Sequence, residues 1–158
     1  MMHATALGAG RARLETQMTD TPWHLTPPEF VEIEDAARAI ADVCRVTPLL
    51  ESPLLNARLG GRLLLKAEGL QRTGSFKMRG AYNRLRQLTH DERGRGVVTY
   101  SSGNHAQAVA AAAQIVGTTA VIVMPADAPR VKIDNTRTYG SEIVLYDRHS
   151  EDRVAICR

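Results

Sequence analysis

Aromatic residues make up only 4 % of the 158-residue chain, cysteine occurs twice, and lysine occurs three times against seventeen arginines. No apolar run approaches the roughly 20 residues that span a bilayer, which excludes a helical membrane protein. A core poor in aromatics must be built from aliphatic side chains. Cys44 and Cys157 lie far apart and have no CxxC spacing. They read as two thiols of a reducing cytosol rather than a disulfide framework or a zinc site. The sequence pI of 9.1 invites a nucleic-acid reading. The basic residues stand singly among acids, however, with no basic run and few aromatics for base stacking, so a solvated mixed-charge surface is the better account. No Walker A loop, GxSxG elbow or dinucleotide fingerprint occurs.

What is present reads as a soluble domain: 44 % hydrophobic and 23 % charged residues at a net charge of +3. Residues 1–28 read as a tail without periodicity, with Met18 as an alternative start. Thr26 is placed to cap a helix whose first turn takes Pro27 and Pro28 and which runs to about Val43. Arg62–Ala67 reads as a buried strand and Ser75–Leu88 as a helix. Gly94 and Gly96 bracket a turn. Strand Val97–Tyr100, a helix to Val116, strand Ala120–Met124, helix Val131–Tyr139 and strand Glu142–Tyr146 follow. Ser150–Arg158 is helix-like, and the chain reads as cut within that element. This alternation predicts an α/β fold with a mainly parallel sheet and flanking helices, a three-layer α/β/α arrangement.

Two segments carry candidate chemistry. In Thr73-Gly74-Ser75-Phe76-Lys77-Met78-Arg79-Gly80, a lysine falls in the first turn of a helix. There the helix dipole disfavours an ammonium and favours a free amine, as Schiff-base chemistry requires. The ordinary alternative is a solvated lysine. In Ser101-Ser102-Gly103-Asn104-His105-Ala106-Gln107, a strand-to-helix turn presents backbone N–H groups suited to a carboxylate or phosphate. The ordinary alternative there is an N-cap.

The two segments together are highly specific. They join Thr47-Pro48-Leu49, Lys66-Ala67-Glu68-Gly69-Leu70-Gln71, Val123-Met124-Pro125, Lys132 and Tyr139-Gly140-Ser141-Glu142, matching stretches spread along about Ile33–Arg153. In these motifs the chain resembles the fold-type II pyridoxal-phosphate enzymes, in the threonine (serine) dehydratase and serine racemase branch. The resemblance implies the N-terminal portion of the tryptophan-synthase-β-like fold. Residues 29–92 would belong to the larger domain with the cofactor lysine, and residues 93–158 to a smaller α/β domain truncated at its end.

The resemblance also implies roles. Lys77 would be linked to pyridoxal 5'-phosphate and act as general base for the α-proton. Phe76 would lie against the cofactor ring and Asn104 would bond the ring's 3-oxygen. Ser101, Ser102, Gly103, Asn104 and His105 would hold the substrate carboxylate. Ser102 would be the catalytic acid–base group on the opposite face in racemases. The implied reaction is β-elimination from L-threonine or L-serine to a 2-oxo acid and ammonia. With it go a homo-oligomeric full-length form and a cytoplasmic setting; from composition and motifs, no metal site, nucleic-acid or membrane partner is expected for these residues. Family chains are about twice this long, so the 158-residue chain is expected to lack turnover. The alternatives are a serine racemase-like enzyme and a non-catalytic remnant that binds a small anion. Lys132 lies in a helix first turn remote in sequence from the Ser/Asn turn.

Overall fold

The computed structural model describes residues 27–158, and the expectations for residues 1–26, including the Thr26 cap, lie outside them. Residues 36–158 form one compact unit, preceded by a separate segment. Helix α1 runs over Phe30–Ala39. It starts after Pro27 and Pro28 rather than on them, and beyond Ala39 the chain continues in turns to Cys44.

Strand β1 (Leu49–Glu51) and strand β2 (Leu64–Lys66) form a two-stranded antiparallel ladder, separate from the main sheet. Helix α2 (Pro53–Leu59) connects them, capped by Ser52 and closed by Gly60 in the left-handed region. The sequence reading of Arg62–Ala67 as buried is corrected here. All three β2 residues are exposed, because an apolar run signals burial only where another layer covers it. Two single 3-10 turns, Glu68–Leu70 and Arg72–Gly74, lead to helix α3 (Lys77–Leu85). Gly94 is not in a turn. Helix α4 (His90–Arg95) holds it, started by a reciprocal capping box between Thr89 and Glu92 and ended at Gly96, where φ is +83°.

The main sheet is parallel, in the order β3 (Val97–Tyr100), β4 (Ala120–Pro125), β5 (Glu142–Tyr146). Val97 pairs with Ala120 and Val121 with Glu142. Helix α5 (Asn104–Val116) joins β3 to β4, and helix α6 (Arg130–Thr138) joins β4 to β5. A last short helix, α7, covers Arg153–Ile156 and starts later than the sequence suggests, with Asp152 as its cap.

Successive strand residues face opposite sides of a sheet. In β4, Ile122, Val123 and Met124 are nearly or fully inaccessible, so both faces of the central strand are covered. That matches the parallel, doubly covered sheet expected. Helix α5 packs on β3, β4 and α3. Its buried face is almost all alanine, from Ala106 to Ala113. Small side chains let the helix backbone approach its neighbours closely, which replaces the missing aromatic bulk. Met78, Tyr82 and Leu85 of α3 complete this core with Ile122, Met124 and Ile133. Each buried aliphatic side chain of this size contributes about 1.5–3 kcal/mol.

Candidate active site

Lys77 is the first residue of α3. Its Nζ lies 4.9 Å from the centroid of the Phe76 ring, and that ring is 59 % exposed. Met78, the next residue, is fully buried and fixes the rotation of the helix. The chain enters α3 through a tight segment in which Thr73 and Gly74 both take positive φ, 61° and 70°. Such a conformation is unusual for threonine.

The second segment follows β3. Ser101 N–H still pairs with Val123 carbonyl at 3.0 Å, so the turn hangs directly on the sheet. Ser101 Oγ accepts from Gly103 N–H at 3.3 Å. Gly103 is the N-cap of α5, and no side chain caps that helix. The N-cap alternative for the Ser and Asn side chains is thereby set aside. The helix start keeps N–H groups with no intrahelical partner, as every helix does. Ser102 and Asn104 are exposed, His105 is half-buried and Gly103 is buried.

Packing of α3 on α5 brings the two segments together. The clearest sign is His105, whose imidazole is pushed below its ordinary range first by burial and then by the nearby Lys77 charge. Sequence reasoning missed Lys132. The structure lays its side chain over Gly103, where an added Cβ would come 2.8 Å from Nζ and 3.0 Å from Cδ. Lys132, remote in sequence from the Ser/Asn turn, is close to it in the fold. Its position beside buried Ile133 and four residues before buried Thr136 marks the inner face of α6 and was the available signal. Lys66 is the third amine. It donates to the Thr47 carbonyl and feels the charge of Glu68.

The fit of a pyridoxal phosphate to these residues rests on what the chain leaves unsatisfied. Thr73 Oγ1 and Ser75 Oγ are buried without a hydrogen-bond partner, in the segment that ends at Phe76 and Lys77. Buried hydroxyls are normally paired. Beside them stand an apolar ring face, an amine and an uncapped helix start, the donor set that an aromatic aldehyde phosphate and an amino-acid carboxylate require. Among the described residues no group of three or more His, Cys, Asp or Glu is placed to hold a metal, and no helix is long and apolar enough to cross a membrane.

Comparison with known proteins gives the same answer. L-threo-3-hydroxyaspartate ammonia-lyase of Saccharomyces cerevisiae is 44 % identical over 131 residues, 83 % of this chain and 40 % of that enzyme. L-threonine ammonia-lyase of Thermotoga maritima is 51 % identical over 114 residues, 72 % of this chain and 28 % of that enzyme. The solved structure of maize serine racemase superposes with a TM-score of 0.78 at 39 % identity, over 84 % of this chain and 40 % of that one. The chain thus spans about 40 % or less of the length of these relatives. The family model described as pyridoxal-phosphate dependent enzyme matches residues 40–158, and the chain belongs to that family.

Proposed function

We propose that this chain carries the cofactor lysine and the substrate-carboxylate turn of an ammonia-lyase acting on a hydroxy amino acid, L-threonine or L-serine. The observation that supports this most is the packing of α3, which begins at Lys77, on α5, which begins at Asn104 directly after the Ser101–Gly103 turn. One segment offers an amine and the other an anion cradle, and the fold sets them side by side.

In this reading Lys77, Phe76 and Asn104 hold pyridoxal phosphate, with the Ser75 hydroxyl as a further donor within reach of the same segment. When bound, the group supplies an aldehyde for the substrate amine and an electron sink at the α-carbon. The chain's own residues do the rest. The N–H groups of the Ser101–His105 turn hold the carboxylate. Lys77 Nζ, which makes no hydrogen bond among the described residues, receives the α-proton as general base. Burial first and the Lys77 charge second disfavour the imidazolium form of His105 at the turn. Loss of the β-hydroxyl gives, after hydrolysis, the 2-oxo acid and ammonia.

Serine racemisation is the second reading. The Ser102 hydroxyl favours it, being exposed at the turn with no hydrogen-bond partner among the described residues. The division near residue 92 into a larger and a smaller domain belongs to the same proposal. So do a homo-oligomeric full-length form and a cytoplasmic setting, with which two free thiols agree.

The test is spectroscopic. Pyridoxal phosphate added to the protein should give absorbance near the violet edge of the visible, and Lys77→Ala should abolish it. An equal band in both proteins would overturn the assignment of Lys77.

A further inference from the structure

We propose that the Glu68–Arg79 ion pair, braced by Thr47, is a positioning device that aims the Lys77 amine at the Ser101–His105 turn, while the same network ties off Lys66. The inference rests on the reading of Lys77 given above and adds residues that reading does not use.

Arg79 stands two places after Lys77 in the first turn of α3 and so projects about 200° away around the helix. Met78 between them is fully buried. Three consecutive residues therefore fix the helix rotation: one in the core, one on the clamp, and Lys77 on the remaining side, toward His105. The clamp is a fork. Arg79 Nε donates to Glu68 Oε2 at 2.9 Å and Nη2 donates to Oε1 at 2.7 Å. Nη2 also reaches the Arg45 carbonyl at 3.1 Å. A planar guanidinium meets both carboxylate oxygens at once, which fixes direction as well as distance.

Glu68 is held in turn. Thr47 Oγ1 donates to its Oε1 at 2.6 Å. Gln71 locks the next stretch, donating from Nε2 to the Arg45 carbonyl at 2.8 Å and accepting from Arg45 N–H at 2.9 Å. Gln71 itself is 3 % exposed. The segment from Glu68 to Ser75 is thus anchored from outside. Its own hydroxyls, Thr73 Oγ1 and Ser75 Oγ, contribute no bond that would hold the entry to α3. The start of α3 is therefore placed by the fork together with the buried Met78. The network also decides between amines, because Lys66 Nζ is spent on the Thr47 carbonyl beside Glu68.

The experiment is site-resolved labelling of the protein. Pyridoxal phosphate is added, bound cofactor is fixed with borohydride, and labelled lysines are counted by peptide mass spectrometry, all well below each variant's unfolding temperature. The wild type should label at Lys77. In Glu68→Gln and Arg79→Lys the Lys77 rate should fall about tenfold and Lys66 should become a comparable site. Thr47→Val, which removes the hydroxyl's bonds to Glu68 and Arg79 and no charge, should move the ratio in the same direction and covers the case where a charge variant fails to fold. Glu92→Gln, which weakens the α4 cap, serves as a control that lowers stability without moving the ratio. An unchanged Lys77-to-Lys66 ratio in folded variants would overturn the positioning role alone. Labelling of the wild type mainly at Lys66 or Lys132 would overturn the functional reading and this inference with it.

Discussion

His105 shows how much of a residue's chemistry comes from where the fold puts it. The sequence marks it as a lone histidine in a helix's first turn, a position open to several roles. The structure half-buries it and sets the Lys77 charge nearby, and both effects disfavour the imidazolium. Its folded pKa therefore lies below the ordinary value of 6.5. Above that value the ring is neutral in both folded and unfolded chains. As pH falls through it, the unfolded chain takes up the proton first, so the folded state loses stability. His105→Gln should remove that loss. Its urea midpoint, compared with the wild type, should improve steadily from pH 7.5 to 5.5, and Lys77→Met should recover part of the same difference. Parallel profiles would show that the histidine does not titrate under this constraint. Lys77, Phe76 and the Ser101–His105 run stand out in the sequence as candidates because motif and spacing are written in the chain. Lys132, Arg79 and Glu68 do not, because their roles depend on contacts across 11 to 29 residues of sequence.

Among the elements, the parallel strands were read nearly to the residue, since short apolar runs bounded by turn residues have few other uses. β1 was missed: it is three residues long, follows a proline, and is exposed throughout. α4 was missed because Gly94 drew attention from the Thr89 and Glu92 capping box around it. Helix α5 was legible in extent, but its alanine face acquires a meaning only in packing. Ala112 is fully buried, whereas Gln114, two residues on, is exposed. Ala112→Leu should cost about 1–3 kcal/mol by forcing apart closely packed backbones. Gln114→Leu should stay within about 0.5 kcal/mol. Denaturant unfolding of both variants checks this. Equal tolerance at the two positions would mean that the alanine face is not close-packed.

At the scale of the molecule the chain divides by how its apolar groups are covered. The parallel sheet has a central strand covered on both faces, with helices α5 and α6 at hand. The β1–β2 ladder has all six strand residues exposed, and Leu54, Leu59, Leu63 and Leu70 beside it are exposed as well. Two-stranded ladders are marginal alone, and large exposed apolar patches are characteristic of surfaces that dock against another. Burial of this kind cannot be read from hydropathy, which is why β2 looks like a core strand in the sequence. The two parts should therefore differ in stability within one chain. Hydrogen exchange is expected to be slowest at Val121–Met124, where release requires opening the whole sheet. Leu49–Glu51 and Leu64–Lys66 should exchange roughly 100-fold faster or more, through local opening that leaves the sheet intact. Low denaturant should narrow that gap by speeding β4 more than β1 and β2, because only the sheet opens by exposing a large surface. If both ladders exchanged at one rate with one denaturant dependence, they would be a single cooperative unit. The exposed leucines would then be no sign of a missing cover.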